Sequence, residues 1–211
     1  MRTKSLLSRA SIVLAAGLAL AGPLAPLASA ADTPVDYACQ ATPPLGSAQN
    51  FDLPAGVNAT APASVAAGSQ FSITLAPDAL TVPSSVSGYS VQSIGDIQLS
   101  IPVPANATLN SESLSGGSGI SQAAVSVSGS NVVLTVNDSL PGGSTFTLPA
   151  VTLNLTAGAS GGTVQTTLGG TGYSDPGLTF SATVPVAFFT VNVPTACYPA
   201  AATVLSSTTI D

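Results

Sequence analysis

Short stretches of alternating apolar and polar residues, each stopped by glycine or proline, constrain this chain more than any other feature. Phe71, Ile73 and Leu75 lie on one side of a period-two pattern, with Ser72 and Thr74 on the other. Ile97, Leu99, Ile101 and Val103 repeat it around Gln98 and Ser100. Val125 and Val127 lead into Ser128-Gly129-Ser130-Asn131, a turn sequence, and Val132 to Val136 returns as the hairpin partner. Phe146 with Leu148, then Val151, Leu153 and Leu155, then Leu178 to Val186, and finally Val191 with Val193 continue the series. Because strand side chains point alternately to opposite faces, such runs describe half-buried antiparallel strands. The chain's 17 prolines and 20 glycines leave no window beyond the first thirty residues for a long helix. The expected fold is all-β: an antiparallel β-sandwich, Greek-key or immunoglobulin-like, over residues 31–199. Residues 31–44 are expected to lead into the first strand, 115–119 and 158–162 to be loops, and Pro149 to mark an edge, a bulge or a crossing. The Ala/Ser/Thr tail 200–211 is expected to be disordered.

The first thirty residues have a different character. Arg2, Lys4 and Arg9 precede an apolar stretch from Ile12 to Ala21, broken at Pro23 and Pro26, and Ala28-Ser29-Ala30 supplies small residues for cleavage. This is the pattern of a secretory signal peptide, 1–30, cut between Ala30 and Ala31. The apolar stretch is shorter than the roughly 18–20 residues a membrane anchor needs. No cysteine stands at the cleavage point, as a lipid-modified N-terminus would require. The expected location is secreted or cell-wall associated.

Removing that leader removes Arg2, Lys4 and Arg9, which are all of the Lys and Arg; nine Asp and Glu and no His remain, so the side chains sum to −9. Nucleic-acid binding, which needs cations to displace phosphate counterions, and attraction to anionic membrane surfaces are therefore not expected. Acids without cationic partners should repel one another, raising their pKa values in the folded state. Stability would then grow in mild acid and fall as pH rises through those values.

Cys39 and Cys197 are the chain's two cysteines, near the two ends of the expected domain. An even pair in an exported chain predicts a disulfide. Two thiols without histidine are too few for zinc, and no base is available to activate a free thiol. No metal site or cofactor is expected. Calcium would have to gather scattered carboxylates in space, since no contiguous calcium-loop motif occurs.

The same inventory bears on catalysis. Serine hydrolysis needs a histidine or lysine base, and neither remains. Glycoside hydrolysis can run on two carboxylates, with Asp96, Glu112, Asp138 and Asp175 as the candidates. Asp138 and Asp175 sit in turn sequences, and tryptophan, the usual sugar platform, is absent. No catalytic residue is assigned and an enzyme is not expected. Sequons begin at Asn58, Asn106, Asn137 and Asn154, a frequency that Ser/Thr abundance explains.

Tyr37-x-Cys39, Ala61-Pro62-Ala63-Ser64-Val65 with Gly68, Leu140-Pro141-Gly142-Gly143, Leu148-Pro149 and Cys197-Tyr198-Pro199 occur in that order. Together they resemble a family of small exported all-β proteins of actinobacteria, of uncharacterised function, with a signal peptide and a terminal cysteine pair. The resemblance implies an envelope or extracellular setting and no catalytic residues. Three functions follow from these observations. The first is a non-enzymatic interaction or structural module with an envelope or extracellular partner. The second is a carrier or pore for apolar molecules in a lipid-rich envelope. The third is a carboxylate-only glycan hydrolase.

Overall fold

The structure is a computed structural model describing residues 31–44, 46–86 and 88–211. The expected signal peptide, 1–30, with Ala30 of the expected cleavage point, lies outside the described residues. Eighteen strands follow, and no helix occurs among the described residues. In chain order they are β1 Ala31–Ala41, β2 Gln49–Thr60, β3 Ser64–Val65, β4 Gln70–Pro77, β5 Ala79–Thr81 and β6 Ser85–Val86. Then come β7 Tyr89–Ser90, β8 Ser93–Pro102, β9 Ala107–Ser115, β10 Ala123–Ser128, β11 Asn131–Val136 and β12 Leu140–Pro141. The last six are β13 Thr145–Thr147, β14 Ala150–Ala157, β15 Thr163–Thr166, β16 Leu178–Val186, β17 Phe189–Pro199 and β18 Ser206–Ile210.

One antiparallel ladder runs β10-β11-β8-β16-β17-β1-β2-β4-β14-β9, with β12 added beside β8. Its two outermost strands are successive in sequence, which decides its shape. At about 4.8 Å per strand, a flat ladder of this order would hold β9 and β10 roughly 43 Å apart. Residues 116–122 must join them, and that segment spans at most about 28 Å when extended. The sheet therefore curls until its ends approach, and the sandwich is nearly a barrel. Crossovers β8–β11, β8–β16, β17–β1 and β4–β14 replace simple meander connections. The antiparallel all-β, disulfide-clasped fold expected from the alternation is the fold observed.

The alternation also sets which side chains face inward. Ile97, Leu99 and Ile101 of β8, Ile73 and Leu75 of β4, and Val151, Leu153 and Leu155 of β14 are all buried. Their neighbours form an outer polar lattice: Ser72 donates to Asn154, Asn154 to Ser111, and Thr74 meets Thr152 at 3.0 Å. The Val125–Val136 hairpin pairs as expected, Ser128 facing Asn131 around Gly129 and Ser130. At Pro149 the chain crosses from β13, which pairs with β5, into β14 of the main ladder.

Two expectations are corrected. Residues 31–41 do not lead into the first strand; they are the first strand. Pro34 and Pro54 sit where β1 and β2 each have one unpaired side, because β17 pairs β1 only from Tyr37 and β4 pairs β2 only from Val57. A missing N–H is harmless there. The tail 200–211 is not disordered. β18 pairs antiparallel with β15 and parallel with β3, burying Leu205, Thr208 and Ile210. Thr208 is tolerated in the core because its hydroxyl donates to the Pro62 carbonyl at 2.7 Å.

Candidate functional site: an apolar cavity under the disulfide

Cys39 and Cys197 form the disulfide, and they are direct cross-strand partners on β1 and β17 with Cα atoms 4.1 Å apart. Period two then fixes what flanks them. Tyr37, two residues before Cys39, and Thr195, two residues before Cys197, share the inward face of the same strand pair. Beside β1, the inward residues of β2 are Phe51, Leu53, Ala55 and Val57, with Leu53 directly opposite Tyr37.

These residues do not close on one another. They surround a cavity of about 470 Å³, within the range of roughly 300–1,000 Å³ typical of small-molecule sites. Leu178, Phe180, Ala182 and Val184 of β16 and Val191 and Val193 of β17 form a second wall. Ile97 and Leu99 of β8, with Leu80, Val82, Phe146 and Leu148 of the short β5–β13 layer, complete the interior. No charged side chain among the described residues lines it.

The cavity reaches the surface beside two hairpins. One joins β16 to β17 and carries Val186, Ala187, Phe188 and Phe189; Ala187 holds φ 49° at the tip. The other joins β6 to β7 and carries Val86 and Tyr89. Val186, Phe189 and Tyr89 line the opening, and each is also solvent-exposed; Phe188, beside them, is fully exposed at 102%. Two adjacent phenyl rings in water on a tight turn are an unfavourable arrangement for an isolated soluble domain.

Tyr37 is the inward group with unspent hydrogen-bonding capacity. It is 3% exposed, and its hydroxyl has no hydrogen-bond partner among the described residues. No buried polar side-chain atom there is sealed off without a partner. The Tyr37 oxygen is therefore not sealed off, and the residue lines the cavity. Burial pushes the phenol well above its ordinary pKa, so it stays protonated. Thr195 reaches only the Val193 carbonyl, at 3.5 Å.

The carboxylates singled out as candidate acids lie elsewhere, each on a different element. Asp138 follows β11 and accepts from the Ser121 and Gln122 amides at 3.0 and 2.7 Å and from the Ser121 hydroxyl. It thereby fastens the 116–122 connection that draws the sheet edges together. The Ser121 hydroxyl and the Gln122 amide hold its pKa below the usual carboxylate value. This is the reverse of the repulsion expected from composition. Asp175 closes a turn, accepting from the Thr171 hydroxyl at 2.8 Å. Asp96, at φ 52°, occupies the bulge where the β8–β16 register shifts. Glu112 sits opposite Leu153 on β9, the end strand of the ladder, where an inward-facing charge discourages pairing with another chain. No three potential metal ligands gather among the described residues. Of the sequon asparagines, Asn58 donates to Asp78 at 2.9 Å and Asn154 belongs to the outer lattice.

Sequence reasoning missed the cavity. Its lining is the same Val, Leu, Ile and Phe that fills a solid core, and alternation records which side a residue faces, not whether the opposite wall meets it. Phe188-Phe189 at a tight turn was the legible clue, since a turn in water favours polar residues.

No family model matches the chain, and no curated protein matches it. A solved structure shares its fold: the crystal structure of a "Putative membrane anchored protein" from the actinobacterium Corynebacterium diphtheriae. It superposes with a TM-score of 0.57 at 22% identity, over 86% of this chain and 38% of that one. At this identity the likeness is one of fold. The chain spans well under half of its neighbour's length.

Proposed function

We propose that this chain is an exported, non-enzymatic carrier that holds an apolar molecule inside its curled sheet and exchanges it at the Phe188–Phe189 hairpin. The carrying observation is the interior cavity of about 470 Å³, lined by aliphatic and aromatic side chains and open beside an exposed aromatic tip. The apolar walls that face one another across this space do not touch, so their dispersion contacts are not made within the chain. A hydrocarbon chain would restore them, at about 0.8 kcal/mol for each methylene taken out of water.

Three further observations support a carrier over the alternatives. A membrane-spanning barrel faces its apolar residues outward to lipid, whereas here Ser, Thr, Asn and Gln cover the outside and the apolar residues face in. A glycan hydrolase would set paired acids at its site, and none of the nine lines this cavity. The described chain contains no cation, so contact with a lipid surface would rest on the apolar hairpin rather than on charge. The disulfide suits an oxidising compartment. A fold neighbour described as membrane anchored is consistent with an envelope-facing location.

The test is to purify the protein without detergent, strip it with organic solvent, mix it with neutral phosphatidylcholine vesicles containing a long-chain ester, and weigh the re-isolated protein by native mass spectrometry. About one ester molecule retained per chain is expected. A protein that stays empty over saturating vesicles would overturn the proposal.

A further inference from the structure

Resting on the carrier reading, we propose that Tyr37 is the polar anchor of the cavity and that the ligand is a long-chain molecule bearing one uncharged oxygen function, an alcohol, ketone or ester.

The side chain is nine-tenths and more buried, borders the cavity, and its hydroxyl lacks a partner among the described residues. Phenylalanine would fill the same wall, so the hydroxyl adds a hydrogen-bonding capacity that packing alone does not require. A ligand oxygen at this point would complete the hydrogen bond.

The surroundings set the ligand's charge. No carboxylate or cation among the described residues lines the cavity, so an ionised head group would enter with its charge uncompensated, which is unfavourable. One phenol, protonated throughout the physiological range, donates a single bond and suits a neutral acceptor.

Position sets the ligand's orientation. Tyr37 pairs with Pro199, ten strand positions along β17 from Phe189 at the opening, or about 30 Å at the usual strand rise. Val191, Val193 and Thr195 line the way between. The oxygen end therefore lies deep, beside the disulfide, and the hydrocarbon chain runs toward the aromatic hairpin.

The experiment is displacement of the neutral fluorophore N-phenyl-1-naphthylamine from wild type and Tyr37→Phe by hexadecane, hexadecanol, methyl palmitate and palmitate at pH 8. Hexadecanol and methyl palmitate should displace it from wild type more tightly than hexadecane, and palmitate least well. Tyr37→Phe should weaken the alcohol and the ester by about three- to tenfold, the loss of one hydrogen bond, and leave hexadecane unchanged. Equal affinities for the alcohol and ester in both proteins would overturn the anchor while leaving the carrier intact. Failure of the fluorophore and all four compounds to bind wild type would remove the carrier reading and the anchor together.

Discussion

Cys39 and Cys197 stand 158 residues apart in sequence yet face each other across adjacent antiparallel strands, between Tyr37 on one side and Thr195 on the other. The bond closes almost the whole described chain into one loop. Chain-entropy reasoning assigns such a loop about 5 kcal/mol as an upper figure. Replacing both cysteines by serine should lower the unfolding free energy, read from the urea midpoint and slope, by an amount approaching that value. An unchanged midpoint would show that β1–β17 pairing alone holds the clasp.

Gly177 and Gly169 are a second close approach, between two backbone segments. A Cβ on Gly177 would overlap the Gly169 carbonyl oxygen, whereas one on Gly172, in the same loop, would meet nothing within 4 Å. Gly177→Ala should therefore destabilise by about 3 kcal/mol or more, and Gly172→Ala by well under 1 kcal/mol. Thermal melting of the two variants side by side checks this; similar losses would contradict the crossing.

Asp138 gives the pH dependence its sign. Its folded-state pKa lies below the unfolded value, so its contribution is present above about pH 4 and is lost as pH falls through the folded pKa. Wild type should therefore lose more stability than Asp138→Asn between pH 5 and 2. Parallel acid curves would show that the bonds to Ser121 and Gln122 do not matter to stability. Raising ionic strength should leave this difference largely intact, because hydrogen bonds carry it.

The hairpin tip tests contact with lipid. Phe188→Ser with Phe189→Ser removes two exposed rings without touching a ladder bond that needs their side chains. Flotation with neutral phosphatidylcholine vesicles should fall several-fold, and the melting temperature should hold. Binding by wild type should also be insensitive to salt, as expected where no cation takes part. Undiminished flotation of the double variant would place the lipid contact elsewhere.

Much of the fold was legible because period two is a local signal. Alternation named Ile97, Leu99 and Ile101 of β8, Val151, Leu153 and Leu155 of β14 and Val191 and Val193 of β17, and two cysteines in a chain expected to be exported named the disulfide. β18 escaped because Ser206–Ile210 carries a single large apolar residue. What orders it is long-range: Thr208 bonding to Pro62, and Ile210 pairing with Val65. Strand β1 escaped because Pro34 reads as a breaker until its unpaired side is known. The cavity was hardest to anticipate. Tyr37 looks like any buried tyrosine, and only the arrangement of distant walls leaves its hydroxyl without a partner among the described residues. Asp138 was recognised as a turn residue, but its three bonds to Ser121 and Gln122 depend on the β9–β10 connection passing beside it.

The interior space itself is tested most directly by filling it. Ala182 lies on β16 between Phe180 and Val184, facing the cavity. Titrating N-phenyl-1-naphthylamine into delipidated wild type should give saturable fluorescence enhancement at one site per chain. Ala182→Trp, with its fold confirmed by circular dichroism, should abolish that enhancement. Equal binding by the filled variant would contradict an interior site, and with it the account of this chain as a carrier.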